Sequence, residues 1–203
     1  MKAIKIYLLS AGLFLFPLII CAQDVSMLAM SSDSIEMIYG DDLDQKIDPK
    51  GVDLALIHIS VWQAANEARR KKGADDLVYN EPLYLASMDH ACHMAYQNFF
   101  SHTDKKNKGY KTLMDRVDNR GFNGQRVSEN IAKNYIDVQS PGTYREFGDD
   151  LIKLWLNSPG HKAILLDKEL ELSGIAICFE KDVAKGGYQY YLAVQDFGVA
   201  WED

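Results

Sequence analysis

Cysteine is scarce: the 203-residue chain has three, at positions 21, 92 and 178. So few exclude a small scaffold built on disulfides. Cys92 and Cys178 sit in apolar patterns that fit either two buried thiols or one bridge. Positive charge is also short, with 22 Lys and Arg against 29 Asp and Glu and a net charge of −7. An acidic surface argues against nucleic acid and anionic membranes as partners and mildly favours cations. No HExxH and no Gly-x-Ser-x-Gly elbow is present, so neither a zincin-type metal helix nor an elbow serine is expected. Past the N-terminus no apolar run approaches the ~20 residues of a membrane helix. No internal repeat or second domain is visible.

What is present begins with a leader. Lys2 and Lys5 precede an apolar middle, Ile6 to Ile20, and Cys21-Ala22-Gln23 offers a cleavage region. Residues 1–22 are expected to be a signal peptide, which implies a secreted, periplasmic or cell-surface protein. Lipidation of Cys21 ranks second, because Ile20 is a poor small-residue neighbour for that signal. Residues 23–50 are rich in Asp and Ser, lack a period, and read as a flexible acidic extension. Residues 51–203 are then one domain.

The chain next reads as helices followed by strands. Leu56, Ile59, Trp62 and Asn66 recur at helical spacing between Val52 and Lys72. Glu81-Pro82 opens a second helix with a stripe of Leu85, Met88, Cys92, Ala95 and Phe99 expected to face the core. Tyr110 to Asn119 reads as a third helix. Ser128 to Ala132 begins an ordered element, and Tyr135 to Gly142 reads as loop. The run Phe147 to Leu156 is helical and stops at Pro159-Gly160. Leu172 to Phe179 and Tyr188 to Phe197 alternate as strands around Lys185-Gly186-Gly187, in hairpin register. The expected class is α+β with an antiparallel sheet.

His102, Glu129 and His161 each stand beside an element end and form the candidate site. Two neutral imidazoles and a carboxylate are a ligand set for Zn²⁺ or another divalent cation with one position open to water. The alternative is that the three only hydrogen-bond neighbouring loops. Asn130, Trp155, Ser158 and Gln195 are read as supports of the same cleft. Ser128 and Ser158 lack the setting of a nucleophile. His90 and His93, one helical turn apart, find no third ligand and read as a partly exposed helix face. His58, in an apolar helix, reads as a satisfied core residue. Lys105, Lys106, Lys108 and Lys111 form a solvated loop, and Tyr188, Tyr190 and Tyr191 pack the sheet.

An ordered set of motifs carries a resemblance. It comprises Asn66-Glu-Ala-Arg69, Phe100-Ser-His102, Asp115-Arg116 with Gly121-Phe122, Ser128-Glu129-Asn130-Ile131-Ala132, Trp155-Leu-Asn-Ser-Pro-Gly-His161, Ser173-Gly174-Ile175 and Val194-Gln195-Asp-Phe197-Gly198. In this order they resemble the bacterial branch of the CAP superfamily of cysteine-rich secretory, antigen 5 and pathogenesis-related proteins (the SCP domain). The resemblance implies a three-layer α-β-α sandwich with a central antiparallel sheet. It also implies a shared cleft for His102, Glu129 and His161. The family's second glutamate, three residues after the tryptophan, is Ser158 here, and the usual eukaryotic cysteines are absent. The implied function is a cleft that binds a lipid, a peptide or an extracellular partner, with or without a divalent cation. The alternative is a metal-dependent hydrolase of peptide or envelope material, for which the missing glutamate leaves no separate base.

Overall fold

The computed structural model describes residues 32–182 and 186–201. The leader, Cys21 and Lys185 lie outside the described residues. Ten elements follow in order: α1 (Ser32–Leu43), α2 (Leu54–Arg70), β1 (Val78–Tyr79), α3 (Glu81–Gln97), α4 (Leu113–Asn119), β2 (Gly124–Asp137), α5 (Tyr144–Leu156), α6 (Pro159–Leu165), β3 (Leu172–Phe179) and β4 (Tyr188–Ala200). The helix starts are built by short side chains. Asp53 accepts from the amides of Ala55 and Leu56, and Asn80 accepts from Leu83. Thr112 with Asp115 and Thr143 with Glu146 close reciprocal capping boxes.

The sheet runs β1-β3-β4-β2. β3 and β4 form the expected antiparallel hairpin, β2 pairs antiparallel with β4, and β1 adds a short parallel edge. On one face, α2 and α5 bury Ile57, Trp62, Leu151 and Trp155 with Tyr191, Ala193 and Phe197. On the other, α3 buries Ala91 and Met94 against Leu192 and Val194. This is the α-β-α sandwich, and strand alternation supplies both cores. Two glycines set the layer spacing. A Cβ at Gly174 would lie 2.0 Å from Tyr84 N, and one at Gly148 would lie 2.4 Å from Ser60 O.

Three expectations are corrected and one open alternative is settled. Within residues 23–50, α1 forms and contributes Ile35 and Leu43 to the core, followed by Ile47. Three apolar side chains in an acidic stretch suffice to dock it, and Arg145 ties it down through Glu36 and Asp44. The fully buried side of α3 is Leu83, Tyr84, Ala86, Ser87, His90, Ala91 and Met94; of the expected stripe only Ala95 is buried, the others being partly buried. Sheet packing turns the helix so that its small and polar residues face the closest strand. β2 continues to Asp137 where loop was expected, because Lys133 to Asp137 remain paired with Tyr188 to Leu192. Cys92 and Cys178 form a disulfide joining α3 to β3, which settles the open alternative.

Candidate functional site

β2 is the edge strand that organises the site. Its consecutive residues point to opposite faces. Glu129 therefore turns toward α3 and α4, and Asn130 toward α6. On the α3 side, Glu129 Oε1 lies 2.7 Å from His102 Nδ1, and its Oε2 accepts from Arg116 at 2.5 Å. Arg116 also donates to the His102 carbonyl at 3.3 Å, so one guanidinium fixes both the backbone and the partner of that histidine. Glu129 and Arg116 are buried, whereas the His102 side chain is 56% exposed. Burial works against the Glu129 charge, but the His102 hydrogen bond and the charge of Arg116 outweigh it, and the pKa falls below 4.5. Beside an ionised Glu129, His102 Nδ1 is the donor. In the neutral ring Nε2 is then left as an acceptor on the open side.

On the other side, α6 carries His161 in its first turn, with Pro159 opening the helix. The expected turn at Pro159-Gly160 is present, but it starts a new helix because proline suits a first turn. Asn130 Nδ2 holds the His161 carbonyl at 3.1 Å. Trp155 Nε1 donates to the Ile131 carbonyl at 3.3 Å, pinning the end of α5 to β2. The His161 pKa is lowered by partial burial and by the charge of His102. Gln195, opposite Asn130 in the ladder, donates to Ser173 Oγ at 3.1 Å. Ser158 precedes α6 and makes no side-chain cap. Neither Ser128 nor Ser158 hydrogen-bonds a histidine among the described residues.

Two residues behind the site are buried, and the sequence carries no sign of it. His90, expected on an exposed face, is buried with Nε2 donating to the Ser101 carbonyl at 2.9 Å and lying 3.9 Å from Glu129. Burial lowers its pKa to about 4, so it is neutral. His93 instead pairs with Asp104. Asp196 is fully buried and stands directly opposite Glu129 in the β2–β4 ladder. The motif residues Arg116 and Asp196 were visible, but a charged residue beside a helix start or in a strand carries no mark of burial.

The CAP model, the cysteine-rich secretory protein family, matches residues 62–197, which takes in His102, Glu129 and His161. The chain belongs to this family. YlbC, an uncharacterized membrane protein of Bacillus subtilis, is 32% identical over 117 residues, 58% of this chain. That match covers 30% of YlbC, so the chain spans under a third of this relative. An extracellular SCP-domain protein of Bacillus anthracis shares the fold with a TM-score of 0.54 at 22% identity, over 70% of this chain and 40% of that one. An outer surface protein of Borrelia burgdorferi does so with a TM-score of 0.56 at 18% identity, over 74% of this chain and 97% of that one.

Within the CAP domain several motif residues are braces. Asn66 accepts from Leu77 N, and buried Arg69 donates to the carbonyls of Asp75, Leu165, Asp167 and Leu170. Each Glu129 oxygen accepts one hydrogen bond, from His102 or from Arg116, so in this arrangement the carboxylate is engaged inside the protein. Among the described residues no three or more His, Cys, Asp or Glu are grouped to hold an ion.

Proposed function

We propose that this protein is an extracytoplasmic binding module of the CAP type. Its cleft presents His102 and His161 as hydrogen-bonding groups to a lipid, a peptide or an extracellular partner. The observation that carries this reading is the engagement of Glu129 by His102 and Arg116. A carboxylate paired with a guanidinium and hydrogen-bonded to an imidazole is a weak base, which favours a binding role over proton abstraction. The hydrolase reading draws on the His102–Glu129 bond, which resembles a base with its orienting acid. It lacks a nucleophile joined to His102. The expected leader, and the likeness to an extracellular protein of B. anthracis and an outer surface protein of B. burgdorferi, support export. No helix among the described residues is long and apolar enough to cross a membrane.

The test uses residues 23–203 with labelled histidines, titrated with phospholipid micelles and with envelope peptides. The His102 and His161 ring signals should shift together with one of these probes, without turnover. Turnover that vanishes with a chelator and in Glu129→Gln would reverse the assignment. In zinc calorimetry no tight stoichiometric step is expected. Such a step, lost in both His102→Ala and His161→Ala, would restore the metal centre.

A further inference from the structure

We propose that the free edge of β2 from Lys133 to Asp137 borders a peptide groove, which takes an extended segment of alternating basic and apolar residues as an added strand. The groove lies further along the strand that carries Glu129 and Asn130. It stands apart from the histidine cleft, and neither reading depends on the other.

The backbone supplies the first argument. In an antiparallel pair, the peptide groups of successive residues point alternately to the partner and away from it. Val138 N donates to the Gly187 carbonyl, whereas the Tyr190 carbonyl accepts from Glu180 N on the β3 side. The even-numbered residues of β2 therefore bond to β4, and Lys133, Tyr135 and Asp137 turn their peptide groups outward. Nearer the histidines this outer edge is covered, since the outward Ile131 carbonyl accepts from Trp155 Nε1 at 3.3 Å. Further on, no described residue hydrogen-bonds the N–H or C=O of Lys133 or Tyr135 from that side. β2 contains no proline, and the Lys133 ammonium is drawn to Glu180 and over the Tyr190 ring. The edge thus keeps neither a proline nor a free lysine to turn a strand away.

The space beside this edge suits one kind of strand. A cavity of about 500 Å³ lies between it and α5, within the ~300–1,000 Å³ of ligand clefts. Asn134 to Asp137 line it as four consecutive residues. Side chains alternate between faces, so an unbroken run means that the backbone edge itself borders the space. Glu146, Asp149 and Asp150 of α5 stand opposite, Asp137 adds a fourth carboxylate, and no Lys or Arg lines the cavity. Arg145, beside Glu146 in sequence, is held by Glu36 and Asp44. Partial burial and then the charge of Glu67 raise the Asp149 pKa above 3.8, so an added cation relieves crowding there. On the other face of the sheet, Tyr135 is 47% exposed, with the Tyr188 and Tyr190 rings 4.6 and 5.8 Å away. A strand paired with Tyr135 would send alternate side chains to this tyrosine cluster and to the α5 carboxylates. That geometry sets the alternation of apolar and basic residues. A second copy of the chain fits poorly, because edge-to-edge pairing would bring two such acidic walls together.

The experiment titrates the oxidised protein with a short peptide alternating lysine and valine, Lys-Val-Lys-Val-Lys. The Lys133 and Tyr135 amides should gain about tenfold protection from hydrogen exchange, while the His102 and His161 ring signals stay in place. Methylating the valine nitrogens, which would meet the Tyr135 carbonyl, should weaken binding about tenfold. Methylating the lysine nitrogens, which would point to solvent, should be tolerated. Asp149→Asn with Asp150→Asn, both on the helix surface, should weaken binding about fivefold, and added salt should act in the same direction. No binding, an equal loss for the two methylated peptides, or shifts confined to the His102 and His161 rings would overturn the proposal. So would protection that rises with protein concentration in the absence of peptide, which would give the edge to a second copy.

Discussion

Arg116→Met is the substitution with the largest expected consequence. Arg116 is 1% exposed and Glu129 6%. Removing the guanidinium strips Glu129 of its 2.5 Å partner and leaves the His102 carbonyl without its 3.3 Å donor. Breaking a buried pair from one side costs about 3–5 kcal/mol, because the remaining charge is uncompensated. In a chain of this size 1 kcal/mol moves the melting point by roughly 2–4 °C, so a fall of about 10 °C is expected. The double variant Arg116→Met/Glu129→Leu removes both charges and should recover most of the loss. Urea unfolding at pH 7 with the disulfide oxidised reads both. A single-variant loss under about 1 kcal/mol, as for an exposed pair, would mean that Glu129 does not depend on Arg116.

Reduction of Cys92–Cys178, or Cys92→Ser with Cys178→Ser, opens an 86-residue separation. The expected loss is about 4 kcal/mol by chain entropy, and equal stability of oxidised and reduced protein would contradict it. His58 accepts from Ile177 N at 3.1 Å, and burial lowers its pKa to about 4, as it does for His90. Both stay neutral when folded but take protons when unfolded below about 6.5, so they remove stability as pH falls from there. Wild type should lose stability from about pH 6.5 toward 5, with a slope that approaches about 2.7 kcal/mol per unit for two such groups. Urea midpoints that do not fall across this window would show that the histidines are already charged when folded.

The frame of the domain was legible because its signals are periodic. The α2 stripe, the Glu81-Pro82 start and the β3–β4 alternation all need only local pattern. β2 hid because Gln125 to Asp137 places polar residues on both faces, and the site itself supplies those polar residues. His102, Glu129 and His161 could be named from their motifs. Their division across the strand could not, since it follows from pairing with β4. Arg116, His90 and Asp196 went unassigned for a related reason: burial of a charged side chain is decided by neighbours distant in the chain. The acidic stretch before residue 50 misled for the converse reason. Three of its apolar side chains, Ile35, Leu43 and Ile47, reach the core, while Met37 and Ile38 stay exposed.

Neighbouring residues 129 and 130 serve opposite faces of one strand, so the two histidines are indexed by a single number, the alignment of β2 on β4. A slip of one residue would send a carboxylate under α6 and an amide toward Arg116, dismantling both halves together. Such an error has a lock at the start of the strand. The register shifts between Gly124 and Arg126, and the Phe122 ring fills the space where a Cβ on Gly124 or Gly198 would sit. A larger residue at either glycine, even at Gly198 on the far strand, would therefore act as a frameshift in space. It would break the hydrogen bonds of Glu129 and Asn130 without touching either residue.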